Sequence, residues 1–170
     1  MVVWGTQPQL NKAPVSPANF LDVKRRNNVF DRIGPFQDTS FNLTGASDPL
    51  RLRGAVVTAD VLPLLGINTA AGRGFLPEEG RPDNNQVTML SYDLWQRSFG
   101  ADPHIVGQKL TLNNKSYTVI GVLPAKLQFL SWAELWVPLS FTAEQENLRE
   151  THTLNVIARL KPAISLEQPQ

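Results

Sequence analysis

Apolar and polar positions alternate in short blocks along this chain, and the period switches repeatedly between two and about 3.6. Thr39–Thr44 puts Phe41 and Leu43 on one face and predicts a strand, and Phe30–Thr44 as a whole is interrupted by Gly34-Pro35. Leu50–Thr58 alternates first and turns continuously apolar after Gly54, the pattern of a strand entering a core. Ser16-Pro17 marks a helix start, since Ser caps free amides and Pro loses nothing at the first helical position. That helix is expected to reach Asn27, and a second short one over Ala59–Leu65 is stopped by Gly66. The opening MVVW predicts a short strand containing Trp4.

Ala70–Asn85 is polar and punctuated by Gly72, Gly74, Pro77, Gly80 and Pro82, and a subdomain boundary is expected inside it. Val87–Leu90 then predicts a strand, and Ser91 caps a helix in which Leu94, Trp95, Ser98 and Phe99 form the expected buried stripe. Gly100 ends that helix. Lys109–Leu112 and Tyr117–Val122 read as a hairpin joined by Asn113-Asn114, because Asn tolerates the left-handed conformation of a tight turn. Leu135–Pro138 and Thr151–Leu160 are further strands, Ala143–Arg149 a polar helical turn. Ser165 and Gln168 have capping-box spacing, so a helix is expected to begin near the end of the sequence. Both ends read as cuts through a larger fold.

Composition narrows the chemistry. Of 170 residues, 42% are hydrophobic and 18% charged, with a net charge of +1, which argues for a globular chain and against nucleic acid or an anionic membrane surface as partner. No cysteine is present, which removes disulfides, thiolate nucleophiles and Cys-type zinc sites. No apolar run reaches the ~18–20 residues that span a bilayer.

Candidate chemistry is sparse. His104 and His152 have no second ligand at metal spacing, so no metal is expected. Ser16, Ser91 and Ser165 read as helix caps, and Gly72-Arg73-Gly74 as a tight turn without the third glycine of a dinucleotide loop. Glu78, Glu79 and Asp83 fall in a loop with no visible apolar wall, so neither burial nor pairing is expected to raise a carboxylate pKa for acid catalysis. No catalytic residue and no cofactor site is expected. Trp4, Trp95 and Trp136 read as core. Trp132 sits in a loop with Phe129 and Leu130, and these three are the candidate partner contact.

Several long runs carry a family resemblance in order. LSYDLWQRSFGADPHIVGQKLTLNNKSYTVIGVLP resembles the signature of the MacB-like periplasmic core domain of bacterial ABC-transporter permeases of the MacB/FtsX type, in the acidobacterial duplicated-permease branch. VSPANFLDVKRRNNVF, RLRGAVVTADVLPLLGINTAAGRGFLPEE and ARLKPAISLEQ fit the same pattern. The resemblance implies an α+β fold of two subdomains: a porter-like α/β sandwich over 1–70 and 150–170, and an inserted, mixed α+β, sabre-like subdomain over 71–149. It implies an edge of the porter sheet covered by sequence following this chain.

By the same resemblance, the chain is a non-catalytic extracytoplasmic domain of an inner-membrane permease, on the periplasmic side. It would relay conformational change and contact partners. Those partners would be a paired permease half or second permease copy, and an adaptor protein or exported substrate. The ATPase subunit or domain would be reached only indirectly. The competing reading is a ligand-binding module with a small-molecule site between the two subdomains. A deep pocket there would favour binding, and a filled junction a mechanical role.

Overall fold

The computed structural model describes residues 2, 3, 5–7, 10–45 and 48–161. The sequence expectations for Trp4 and Ser165–Gln168 lie outside the described residues. In chain order the elements are β1 (Val2–Val3), β2 (Gly5–Gln7), β3 (Leu10–Ala13), α1 (Pro17–Arg25), β4 (Phe30–Thr44), β5 (Leu50–Val57), α2 (Val61–Leu65) and β6 (Ala71–Gly72). They continue with β7 (Val87–Leu90), α3 (Tyr92–Phe99), β8 (Lys109–Leu112), β9 (Lys115–Val122), β10 (Leu135–Pro138), α4 (Ala143–Glu146) and β11 (Asn155–Leu160). The fold is α+β, with one mixed sheet and few helices.

β4, β5, β10, β7, β9 and β8 pair one to the next, and β8 pairs back onto β4. The sheet therefore closes into a small barrel, with β11 and β1 continuing from one side of β4. The β5–β10 and β7–β9 pairs are parallel, and the other pairs around the circuit are antiparallel. Two of these seams, β5–β10 and β4–β8, join residues 1–70 to residues 71–149.

The period-two alternation sorts side chains between compartments. On β10, Leu135 and Val137 face the barrel interior with Phe41, Leu43, Leu52, Leu112, Val119 and Val122. Trp136 faces the other way, into a cluster with α2 residues Val61, Leu62 and Leu64. α1 covers a third cluster through Phe20, against Ile33, Leu154, Val156 and Ala158. Ile157 joins the α2 cluster, so β11 is buried on both faces.

Local signals explain most element ends. Ser16 Oγ accepts from the Asn19 amide (3.3 Å) and Ser91 Oγ from the Leu94 amide (3.1 Å). Gly66 (φ 67°) and Gly100 (φ 59°) end α2 and α3 in the left-handed region. Asn113 (φ 50°) and Asn114 (φ 63°) form the expected hairpin turn.

Three expectations need correction. Gly34-Pro35 does not break β4, which runs through it as a 15-residue strand. The amide that Pro35 lacks would point toward β5, whose ladder has already ended at the Phe36–Val57 pair, so no bond is lost. Within α3 only Leu94 is fully buried; Trp95 and Phe99 are half-buried and Ser98 is exposed. α1 ends at Arg25, and Asn27 turns the chain by accepting from the Val29 and Phe30 amides.

The polar connector also holds a strand. β6 pairs with β9 through Gly72 opposite Gly121, and a Cβ on Gly72 would lie 2.1 Å from the Ile120 carbonyl oxygen. With φ at +68° as well, Gly72→Ala is expected to cost about 3 kcal/mol or more, read from urea denaturation. Trp136→Ala, at a fully buried site, is expected to cost about 3–5 kcal/mol in the same assay.

Candidate functional site

The loop between β9 and β10 folds back onto the α2 cluster. Leu130 takes a left-handed conformation (φ 51°), which lets the Ala133 amide donate to its carbonyl (2.9 Å) and turns its side chain inward. Leu130 is buried, so it does not form the exposed apolar contact expected of it. Phe129 is half-buried, edge-on to Phe36 (5.3 Å between centroids) and Trp136 (6.4 Å). Aromatic pairs of this geometry add to simple burial. Trp132 is half-buried like Phe129, and the Arg53 guanidinium lies 4.6 Å from its ring centre.

Beside Trp132, Glu134 ties three elements together. Its carboxylate accepts from the Arg53 amide (2.8 Å) and from the Arg97 guanidinium of α3. Its backbone exchanges bonds with Arg53 and Ser91. Arg97 also donates to Asp93 one turn back (3.0 Å). The Arg53–Trp132–Glu134–Arg97 group therefore forms a partly exposed platform over the β5–β10 seam. Sequence reasoning found Trp132 but not its partners, which come from elements far apart in the chain.

The remaining candidates are dispersed. His104 sits in an exposed turn whose amide donates to Asp102 Oδ1 (2.8 Å). His152 is half-buried at the rim of an open cavity of about 550 Å³, with Nδ1 3.0 Å from the Glu150 carbonyl oxygen. Residues from 1–70, 71–149 and 150–170 all line that cavity, among them Gln37, Leu139 and Thr151. Among the described residues, no three His, Asp or Glu gather where they could hold a metal ion. Tyr117 lies edge-on to Phe41 (6.2 Å), and burial pushes its phenol pKa up.

Glu79 overturns the reading of its loop as a carboxylate cluster without walls: it is only 4% exposed. Burial pushes its pKa up, but Arg73, which donates to both carboxylate oxygens (2.7 and 3.1 Å), and the Leu76 amide (2.8 Å) outweigh it. The carboxyl is held below its ordinary 4.5, and the hydrogen bond to Glu79 raises Arg73. Ionised and paired at neutral pH, Glu79 is a structural anchor and not an acid catalyst. The signal was legible as Leu76-Pro77-Glu78-Glu79: a glutamate placed to reach back to the free amide at a helical turn's start.

A model of the MacB-like periplasmic core domain matches residues 1–170. The periplasmic region of MacB from Actinobacillus actinomycetemcomitans superposes with a TM-score of 0.68 at 14% identity, over 97% of this chain and 75% of that one. A domain assigned to a permease protein from Porphyromonas gingivalis gives 0.69 at 16%, over 90% and 71%. The extracellular domain of the noncanonic ABC-type transporter YknZ from Gram-positive bacteria gives 0.66 at 14%, over 95% and 83%. At these identities the structural likeness concerns the fold. No curated protein matches the sequence.

Because Glu79 titrates low in the folded chain, its contribution is present above its unfolded pKa and is lost as pH falls through the folded value. Glu79→Gln is therefore expected to cost about 1–2 kcal/mol at pH 7, and the difference is expected to shrink as the pH is lowered below the ordinary carboxylate range, in urea melts run from neutral to acid pH.

Proposed function

The chain belongs to the family of MacB-like periplasmic core domains, the periplasmic domain of MacB- and FtsX-like ABC transporter permeases, and on that footing we propose that it is a non-catalytic mechanical relay. It would pass conformational change between membrane-embedded parts of a permease and partners outside the membrane, with ATP hydrolysed elsewhere. No helix among the described residues is long and apolar enough to cross a membrane.

The supporting observation is the filled junction. We treat 1–70 with 150–170, and 71–149, as two subdomains. At the β5–β10 seam between them, Ala55, Val57, Leu135 and Trp136 have no solvent-accessible surface. A displacement applied to one subdomain must be carried by the other, because sliding the seam would break ladder bonds and expose these side chains. The Trp132–Arg53 platform, on this same seam, is the proposed partner contact.

The open cavity lined by all three sequence ranges favours a second reading, capture of a small molecule between the subdomains. A ligand that raises the melting temperature, with the rise removed by His152→Ala, would support it.

The relay is tested in the full permease by locking the second seam. Thr44 and Thr111 lie opposite one another across β4–β8, and the chain has no native cysteine to interfere. Thr44→Cys/Thr111→Cys, oxidised, is expected to change partner-stimulated ATP hydrolysis by less than about twofold, because a rigid relay keeps this seam closed. Abolition on oxidation and rescue by reductant would show that the seam opens, and would sink the rigid relay.

A further inference from the structure

The outer face of the barrel carries an exposed polar strip across β4 and β5. Arg51 and Arg53 both point outward there, because Leu52 between them enters the barrel interior. Asn42 lies opposite Arg51 and Ser40 opposite Arg53, and all four residues are exposed. Half-buried Trp132 borders the strip, with the Arg53 guanidinium 4.6 Å from its ring centre.

The two arginines are not neutralised by any described residue. Neither makes an ion pair. Glu134, the carboxylate beside Trp132, is already engaged by the Arg97 guanidinium and the Arg53 amide. Asp38 shares the outer face but sits one pair further along, opposite Ala55, and like Asp48 it pairs with no described cation. Two guanidinium-bearing positions therefore stand about 7 Å apart on one strand face with their charge uncompensated. Contact with the Trp132 ring restricts the Arg53 side chain, so less rotamer freedom remains to be lost when its donors are used.

We propose that this strip docks an acidic segment of a partner protein, with one Asp or Glu carboxylate held between Arg51 and Arg53. Such a contact gives a chemistry to the partner face placed at Trp132–Arg53; it rests on that placement and not on the rigidity of the seam. Charge complementarity names the occupant. A guanidinium presents a planar fork of donors that matches a carboxylate, and two such forks can converge on one group. Arg and Trp are also the residue types that most often carry the energy of protein interfaces.

Other anions fit less well. A membrane surface or a nucleic acid needs a broad basic face, whereas Asp38 and Glu134 flank this pair of cations and the whole chain carries only +1. The expected segment is therefore short, with a single well-placed carboxylate. Ser40 and Asn42, opposite the arginines, offer hydrogen-bonding groups to the polar atoms beside it. An apolar neighbour of the acidic residue would rest against the accessible part of Trp132.

The test is a titration of the isotope-labelled chain with the blocked peptide Ala-Leu-Asp-Leu-Ala, followed by NMR. Shift changes should centre on the Arg51 and Arg53 side chains and the Trp132 indole. The same peptide with Asn for Asp should bind at least about fivefold more weakly, and Arg51→Gln or Arg53→Gln should weaken the acidic peptide by a similar factor. Arg53→Lys keeps the charge but loses the fork, and should still weaken binding at least about twofold. Absence of shifts at several millimolar peptide, shifts centred elsewhere, or equal binding of the Asn peptide would overturn the proposal. Sedimentation with phosphatidylglycerol vesicles in place of peptide binding would overturn it in favour of a membrane surface. The same arginine and indole shifts on concentrating the chain alone would overturn it in favour of a second copy. None of these outcomes depends on whether the β4–β8 seam opens, so failure here and failure of the relay are seen separately.

Discussion

The closure of the strand circuit at β4–β8 is the constraint on which the rest of the molecule depends. Among the described residues two pairs make it, Leu43 with Leu112 and Thr44 with Thr111, so it borrows rigidity from its surroundings. The left-handed Asn113-Asn114 turn aims β8 at β4, and Asn113 then binds both backbone groups of Asn42. With the circuit closed, Phe41, Leu43, Leu52, Leu112 and Val119 enclose one another. Without it, β8 and β9 would be a hairpin hanging from β7.

Packing on the outside of the barrel is organised by the same strands. Because β10 alternates, a shift of one residue would exchange Trp136 with Leu135 and Val137 and disrupt two clusters at once. Close approaches fix the register further. The Phe41 ring lies over Gly54, where a Cβ would come within 2.6 Å of it, and Gly72 meets Gly121 with no room for a side chain on either. The ion pair between exposed Arg73 and buried Glu79 folds the connector on itself, with the Leu76 amide bonded to the same carboxylate.

Features specified by neighbouring residues were legible in the sequence. The Ser16 and Ser91 caps, the Gly66 and Gly100 stops, the Asn113-Asn114 turn and the β10 strand all follow from residues within a turn or two of each other. Features specified by distant partners were not. Pro35 is harmless because β5 ends where it does, and Ala71–Gly72 becomes a strand because Gly121 lies opposite. The Phe129–Trp132 loop looked exposed because Phe36 and Arg53, which cover it, lie some eighty to ninety residues earlier.

β4 also sets the order in which the chain can fold. Its fifteen residues are complete by Thr44, yet its neighbours arrive at β5, at β8 after Lys109, and finally at β11, which ends at Leu160. The β4–β5 hairpin is the only one of these pairings that is local in sequence. During synthesis the strand must therefore wait with one side bare for more than a hundred residues of chain. A topology with so many distant pairings folds slowly, on the millisecond-to-second scale. The exposed Asp38 in mid-strand acts through that interval as a guard against mispairing, since a charge at an open edge discourages self-association.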